Sequence, residues 1–353
     1  MLVTENFYRK RAMSEIHILH GMTSPETPIE QSHAFNPTSF KDYIGQETLK
    51  QKLNVYIHAA KLRKEPLDHL LLFGPPGLGK TTLAHIMGYE LQVPLRVCSG
   101  PMLERTGDLV AILSSLEPRA ILFIDEIHRM PIAVEEVLYS AMEHFKVDVI
   151  IGQGAGAKSV SLPLHPFTLV GATTKSGMIS GPLRSRFGII ERFDFYTDDA
   201  LATIAQQNMK YLGMSIDTDA AKLIGHAARG TPRIAKRIVR RVRDVAQFEG
   251  VHSIDCAITR RALVFLGIHE DGLTTLDITL LKLLVTQFKG GPAGLETLAS
   301  MIGEDAETLE IVYEPFLMRK GLLEKTSRGR QIPAQQLPLL VKRFLGQTMI
   351  GRP

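Results

Sequence analysis

The run Gly74-Pro-Pro-Gly-Leu-Gly-Lys-Thr-Thr82 satisfies G-x-x-x-x-G-K-[ST] in full. Glycines at this spacing, here Gly77 and Gly79, let backbone N–H groups wrap around phosphate oxygens, and a helix starting at the lysine adds its positive end. Lys80 would reach the β- and γ-phosphates of a nucleotide, and the Thr81 hydroxyl would ligate Mg²⁺. A chance glycine-rich turn is the alternative, but this one has an apolar run before it and a helical pattern after it. Asp125-Glu126 follows the apolar run 120–124, 45 residues after Lys80. Carboxylates at the end of a buried strand sit where open α/β sheets bind ligands. Asp125 would hold Mg²⁺ through water and Glu126 would polarise the attacking water. Without the loop upstream, the pair would read as a solvated strand end. Thr173-Thr174 ends a further apolar run, and one hydroxyl could orient the γ-phosphate or the water.

Three basic groups extend this chemistry. Arg184 and Arg186 lie in Pro182-Leu-Arg-Ser-Arg-Phe-Gly188. They are either surface arginines in salt bridges or candidates for an arginine finger that stabilises transition-state charge. An arginine this far along the chain more easily reaches a neighbouring subunit's site, which would require a ring or filament. Thr231-Pro232-Arg233 has the form of a helix start, with Thr as cap and Pro in the first turn. The helix it opens is basic away from its apolar face. Arg240, Arg241 and Arg243 read as a solvated face, whereas Arg233 could reach a nucleotide. Lys325, Arg328 and Arg330 surround Gly329 in a hairpin pattern that could rest on DNA phosphates or in a minor groove. A solvated loop is the alternative there. No aromatic residues interleave with these charges, so base stacking on single strands is disfavoured.

The elements that must position these residues follow from periodicity. Apolar recurrence predicts a helix over 48–64, and short apolar runs at 69–73, 95–98, 120–124 and 167–172 predict strands. Strands separated by helices imply a parallel sheet covered on both faces. Residues 147–151 and 158–162 flank Gly152-Gln-Gly-Ala-Gly156 and read as an inserted β-hairpin. From about Tyr196 the strands stop and helical patterns fill 198–267. Helices over 277–288, 295–301 and 306–319, then a hairpin within 322–332, describe a winged helix. The fold class is therefore α/β: a P-loop ATPase domain over 36–195, a small helical lid over 196–271 and a winged helix over 272–353. Residues 1–35 read as a disordered tail, with Met13 an alternative start.

Composition narrows the class. The chain has 353 residues, 44% hydrophobic and 22% charged, which argues against a collagen, a coiled coil or a largely disordered chain. No apolar run approaches the ~18 residues of a membrane helix. Two distant cysteines, Cys98 and Cys256, make neither a disulfide framework nor a zinc site and fit a reducing cytoplasm. The net charge of +4 is a mild hint of an anionic partner. No HExxH or G-x-S-x-G occurs, and His128 reads as a structural residue beside the site rather than a ligand.

Taken together the motifs resemble the RuvB family of Holliday-junction branch-migration ATPases, within the AAA+ class. The resemblance runs from about Asp42 to Ile332. It rests on DYIGQ at 42–46, GPPGLGKTTLA at 74–84, LFIDEIHR at 122–129 and GATT at 171–174. PLRSRFGI at 182–189, GTPRIA at 230–235 and GGPAGLETLA at 290–299 are the more specific pieces. The resemblance implies ATP and Mg²⁺ as ligands. It assigns Tyr43 and Ile44 to the adenine side, and Gly77, Gly79, Lys80, Thr81 and Thr82 to phosphates and metal. Asp125 and Glu126 become the carboxylate pair, Thr174 the sensor and Arg186 a finger acting in trans, with Arg184 as the alternative. Tyr196 and Arg233 would contact nucleotide from the lid, and Glu143, His144 and Phe145 would approach it. The family's Leu-Arg-Pro is here Phe35-Asn36-Pro37, so a contact from Phe35 and Asn36 would run through the backbone. The resemblance further implies a homo-hexameric ring on duplex DNA, with hairpin 147–162 docking a RuvA-like junction-binding protein and a RuvC-like resolvase alongside. Lys325, Arg328 and Arg330 would contact DNA. The rival readings are another AAA+ ATPase, such as a clamp loader or protein unfoldase, and an ATP-switched DNA-binding regulator.

Overall fold

Alternation along three central strands sends successive side chains into two separate cores, and the sheet is built around that split. The computed structural model describes residues 36–151 and 158–346. The expected tail over 1–35, with Phe35, and the hairpin tip at 152–157 lie outside the described residues. In chain order the first elements are α1 (Glu47–Arg63), β1 (Leu70–Phe73), α2 (Lys80–Leu91), β2 (Leu95–Ser99), α3 (Thr106–Ser114), β3 (Ile121–Asp125) and α4 (Ile132–His144). Then come β4 (Lys146–Ile151), β5 (Lys158–Pro163), β6 (Thr168–Thr173), α5 (Gly181–Ser185) and β7 (Ile189–Arg192). The sheet runs β2-β3-β6-β1-β7, and every pairing is parallel.

Leu70 and Leu72, Ile121 and Phe123, and Val170 and Ala172 enter one core with α1 and α2. Leu71, Leu122, Ile124 and Leu169 enter the other with α3 and α4. A strand buried on both faces reads as a continuous apolar run, which is why these three strands were visible in the sequence. Strand β7 was not expected. It pairs outside β1 at the sheet edge, and only Ile189 of its four residues is buried. The β4–β5 hairpin forms its own antiparallel pair, from Lys146↔Pro163 to Ile151↔Lys158.

The helical region contains α6 (Asp198–Tyr211), β8 (Ser215–Ile216), α7 (Thr218–Ala227), α8 (Pro232–Phe248), β9 (Ser253–Ile254) and α9 (Cys256–Phe265). Strands do not stop at Tyr196, because β8 and β9 pair in parallel. Two residues each are too short to show a period of two. Apolar residues of this region share the first core with the sheet. The C-terminal region has its own core, from Leu273 to Leu340. Its elements are α10 (Thr275–Thr286), α11 (Leu295–Ile302), α12 (Ala306–Thr308), α13 (Glu314–Arg319), β10 (Glu324–Thr326), β11 (Gly329–Gln331) and α14 (Leu337–Leu345).

The helix expected over 306–319 is interrupted by a π-turn at Leu309–Tyr313. Pro315 follows it, lacks an N–H, and would press its ring on the carbonyl of Ile311 in a regular α-helix; a wider turn relieves that clash. No helix among the described residues is long and apolar enough to cross a membrane.

Phe123 is fully buried at the centre of β3. Phe123→Ala should cost about 3–5 kcal/mol, read as a lower urea midpoint for the nucleotide-binding region. An unchanged midpoint would contradict the central placement of β3.

Candidate functional site

Because the central strands run parallel, β1, β3 and β6 deliver their chemistry to one edge of the sheet. The turn leaving β1 is tied to β6, with the Gly74 N–H donating to the Thr173 carbonyl (3.2 Å). Gly77 and Gly79 take φ of 78° and 99°, in the left-handed region. A Cβ on Gly77 would meet the Arg233 Cβ at 3.0 Å, and one on Gly79 would meet the Tyr43 hydroxyl at 3.2 Å. Both positions therefore need glycine for conformation and for space.

Lys80 opens α2 and is only 7% exposed. Its Nζ donates to the Gly74 and Pro75 carbonyls (2.8 and 3.0 Å). Burial lowers the ammonium's pKa, while the charges of Asp125 and Glu126 hold it up. Thr81 and Thr82 are half-buried in the same first turn.

Asp125 ends β3 and accepts the Glu126 N–H (3.0 Å). Burial raises its carboxyl's pKa, against the pull of that N–H and of Lys80. Glu126 then turns the chain through a left-handed conformation, φ 48°. Its Oε2 accepts from the Thr174 hydroxyl (3.2 Å) and lies 3.2 Å from His128 Nδ1. Thr173 Oγ1 is hydrogen-bonded to the same His128 nitrogen (2.9 Å) and accepts the Lys175 N–H (2.9 Å). Lys80, Asp125, Glu126 and Thr174 are thus gathered as expected, with His128 beside Glu126. Thr81 offers a hydroxyl and Asp125 a carboxylate, donor types that suit Mg²⁺.

The helical region closes against the loop. The Arg233 N–H donates to the Gly77 carbonyl (3.3 Å), and the Tyr196 N–H to Gly230 (2.9 Å). The Tyr196 hydroxyl donates to the Leu78 carbonyl (3.2 Å) and is hydrogen-bonded to the Tyr43 hydroxyl (3.0 Å). Burial pushes the Tyr196 phenol up to about 12. Ile44 is half-buried against the same core, and the Arg233 side chain is exposed. Asn36 is also exposed. Thr231 precedes α8 but does not cap it through its side chain, because its hydroxyl donates back to the Ala228 carbonyl (3.3 Å). Arg243 is not on an open face either; it pairs with Asp244 (2.9 Å) and is 15% exposed.

Arg186 is held elsewhere. Its guanidinium stacks 4.4 Å from the Tyr139 ring centre, donates to the Pro182 carbonyl (2.8 Å) and pairs with Glu143 (3.2 Å). Tyr139 is fixed by its hydroxyl donating to Glu135 (2.6 Å), which also accepts from Ser180. The sequence reading missed Glu135 and Tyr139, although their i,i+4 spacing on one helix face was available. Glu143 and His144 are exposed at the end of α4. Phe145 is half-buried, its ring packing edge-on against Phe167 (5.9 Å) at the margin of the second core. Arg184 is exposed beside the Ser176 carbonyl (3.5 Å).

The wing holds its three basic residues in different surroundings. Arg330 is 8% exposed, and its guanidinium donates to both oxygens of Glu314 (2.6 and 3.2 Å). It braces the hairpin against α13. Lys325 pairs with Glu310 (2.6 Å) at the surface. Arg328 stands exposed at the hairpin turn, and the Lys325 side chain is half-exposed within its ion pair.

A phosphate loop, a strand-borne carboxylate pair, a polar sensor on the next strand and a helical lid touching the loop define a P-loop ATPase of the AAA+ class. Models of the family match along most of the chain. They are the Holliday junction DNA helicase RuvB P-loop domain over residues 35–193, the RuvB AAA lid domain over 196–269 and the RuvB C-terminal winged helix domain over 270–341. A "Holliday junction branch migration complex subunit RuvB" of Staphylococcus saprophyticus is 49% identical, covering 90% of this chain and 95% of its own. The same-named subunit of Staphylococcus aureus is 50% identical over equal shares. The solved Thermotoga maritima RuvB Holliday junction branch migration motor is 46% identical, with a TM-score of 0.78 over 87% of this chain and 98% of that one. The chain belongs to the RuvB family.

The two wing arginines should separate by experiment. Arg330→Ala leaves Glu314 buried and unpaired and should destabilise the C-terminal region by about 3–5 kcal/mol. Arg328→Ala should leave melting unchanged and weaken duplex binding at low salt. Equal effects of both on melting would contradict this division.

Proposed function

We propose that this chain is an ATP-driven DNA motor that moves Holliday junctions during recombination and repair. The carrying observation is the convergence of Lys80, Asp125, Glu126 and Thr174 at one sheet edge, with the lid's Arg233 backbone bonded to Gly77. That arrangement can bind a nucleotide triphosphate, position water and report the γ-phosphate to the lid. Lys80 and the loop N–H groups take the phosphates, and Tyr43, Ile44 and Tyr196 border the adenine side. Thr81 and Asp125 would hold Mg²⁺, which supplies charge neutralisation between the β- and γ-phosphates. Glu126 accepts the proton of the attacking water. Its contact with Thr174 and His128 keeps the carboxylate in place beside the sensor strand.

One component is not supplied by the same chain. Arg186 is held by Tyr139, Pro182 and Glu143, partners on α4 and α5 and not on the phosphate loop. We read it as a finger that completes the site of a neighbouring subunit in a homo-hexameric ring, with Glu143 and His144 on the same face. Such a ring encircles duplex DNA and acts in the cytoplasm. Hairpin 147–162 takes a RuvA-like junction-binding protein, and a RuvC-like resolvase acts on the junction that the ring moves. The division into an ATPase domain over 36–195, a lid over 196–271 and a winged helix over 272–353 is supported by the separate C-terminal core.

The test is Mg²⁺-dependent ATP hydrolysis with and without a synthetic four-way junction, alongside the mass of the assembly with a non-hydrolysable analogue. Junction-stimulated turnover at hexamer mass is expected. A monomer whose hydrolysis ignores DNA would overturn the motor reading. Glu126→Gln should lower turnover by at least about 10²-fold, the loss typical of a removed proton acceptor, while nucleotide affinity stays near wild type; parallel loss of affinity would remove Glu126 from the chemistry. Arg186→Ala should be inactive alone but regain hydrolysis when mixed with Glu126→Gln subunits. No rescue on mixing would contradict action in trans.

A further inference from the structure

The joint between lid and winged helix is built on a buried ion pair. Arg229 is 6% exposed and Asp277 is fully buried, and they pair through two hydrogen bonds (2.8 and 3.2 Å). The guanidinium also lies 4.3 Å from the Phe316 ring centre. A two-point arginine–carboxylate pair fixes orientation as well as distance. Asp277 is pinned from its own side, because it accepts the Thr274 N–H (2.7 Å) as the third residue of α10. Arg229 is pinned from the other, in a left-handed conformation at φ 58° just before Gly230. A second arginine, Arg319, lies over Phe195 (4.3 Å) and under Gly230. The connecting segment is closed by its own backbone bonds, His269 to Leu273 (2.8 Å) and Thr275 to Gly267 (3.1 Å).

The same turn faces the nucleotide site. Gly230 accepts the Tyr196 N–H, and the Arg233 N–H reaches Gly77. On the winged helix, α13 carries both Phe316 and Glu314, and Glu314 grips Arg330 of the wing. A chain of packed and hydrogen-bonded groups therefore runs from phosphate loop to wing. By contrast, the ion pair that ties the winged helix to the sensor end of the sheet, Lys175–Glu307 (2.6 Å), is solvent-exposed at 33% and 64%. Exposed pairs are screened and easily broken.

We propose that Arg229 is a positioning residue of the motor: with Asp277 it welds the winged helix to the lid, so that both turn as one body when the lid responds to nucleotide. The assignment rests on the nucleotide reading above only for what drives the turn. The weld itself is a property of the joint, and Lys175–Glu307 is the contact that yields.

The test uses the full-length chain with Cys98 and Cys256 replaced by alanine and spin labels at two pairs of exposed positions. Tyr211→Cys with Met301→Cys spans lid and winged helix. Leu62→Cys with Met301→Cys spans ATPase domain and winged helix. The 211–301 distance should be narrow and equal in ADP and in a non-hydrolysable ATP analogue, while the 62–301 distance shifts. Asp277→Asn keeps the cap and removes the charge. It should broaden the 211–301 distribution, leave ATP turnover near wild type, and lower base pairs migrated per ATP by about fivefold or more, the scale of a lost coupling. Should that variant fail to fold, Arg229→Met with Asp277→Asn removes both charges and leaves neither buried alone. A 211–301 distance that follows nucleotide as strongly as 62–301 would overturn the weld, as would base pairs per ATP unchanged in either variant. A wild-type chain that moves no junction would overturn the motor reading instead, and the 211–301 distributions of wild type and Asp277→Asn would still decide the weld.

Discussion

A lysine with 7% exposure is costly in any fold, and the surroundings of Lys80 are organised around that cost. Burial draws its pKa down, and the two carboxylates at the end of β3 hold it up. Its three N–H donors need acceptors. Gly74 and Pro75 provide two carbonyls, and these loop atoms are available because left-handed glycines bend the chain back over the helix start. A parallel sheet is what brings the pieces together. Only strands running the same way put the loop after β1, the carboxylates after β3 and the threonines after β6 on one edge.

The lid exploits that edge without entering the sheet. Its contacts to the loop are mainly a backbone bond and two hydrogen-bonded phenols, Arg233 to Gly77 and Tyr196 to Tyr43 and Leu78. Backbone donors and buried hydroxyls fix geometry more tightly than an exposed charge does. The Arg233 side chain is exposed, while the turn that carries it is anchored on both sides. The segment from Arg229 to Arg233 is consequently a hub, with phosphate loop, Tyr196 and winged helix all meeting within five residues.

Much of this was legible in the sequence, and the reasons are specific. The phosphate loop, Asp125-Glu126 and Thr173-Thr174 are contiguous motifs at strand ends, so their spacing carries their placement. Strands β1, β3 and β6 are buried on both faces and show as apolar runs. Strand β7 has one buried residue and carries no such signature, and β8 and β9 are too short to have a period. The π-turn before Pro315 depends on a clash that appears only once the helix is built. The ion pairs of Arg330 with Glu314 and of Lys325 with Glu310 could not be read, because the acidic partners lie outside the hairpin and only folding brings them near. The stacking of Arg186 on Tyr139 likewise joins two elements far apart in sequence. Motifs that fold locally could be read, and pairs that meet only through tertiary structure could not.

The central claim is that nucleotide at the phosphate loop sets the angle between sheet and lid. It is tested most directly by the distance between labels at exposed Leu62 on α1 and Tyr211 on α6, measured with ADP and with a non-hydrolysable ATP analogue. The account predicts two distinct distances in the wild-type chain, and a single distance in Lys80→Ala whichever nucleotide is added. One distance in the wild-type chain under both nucleotides, with binding verified, would contradict it.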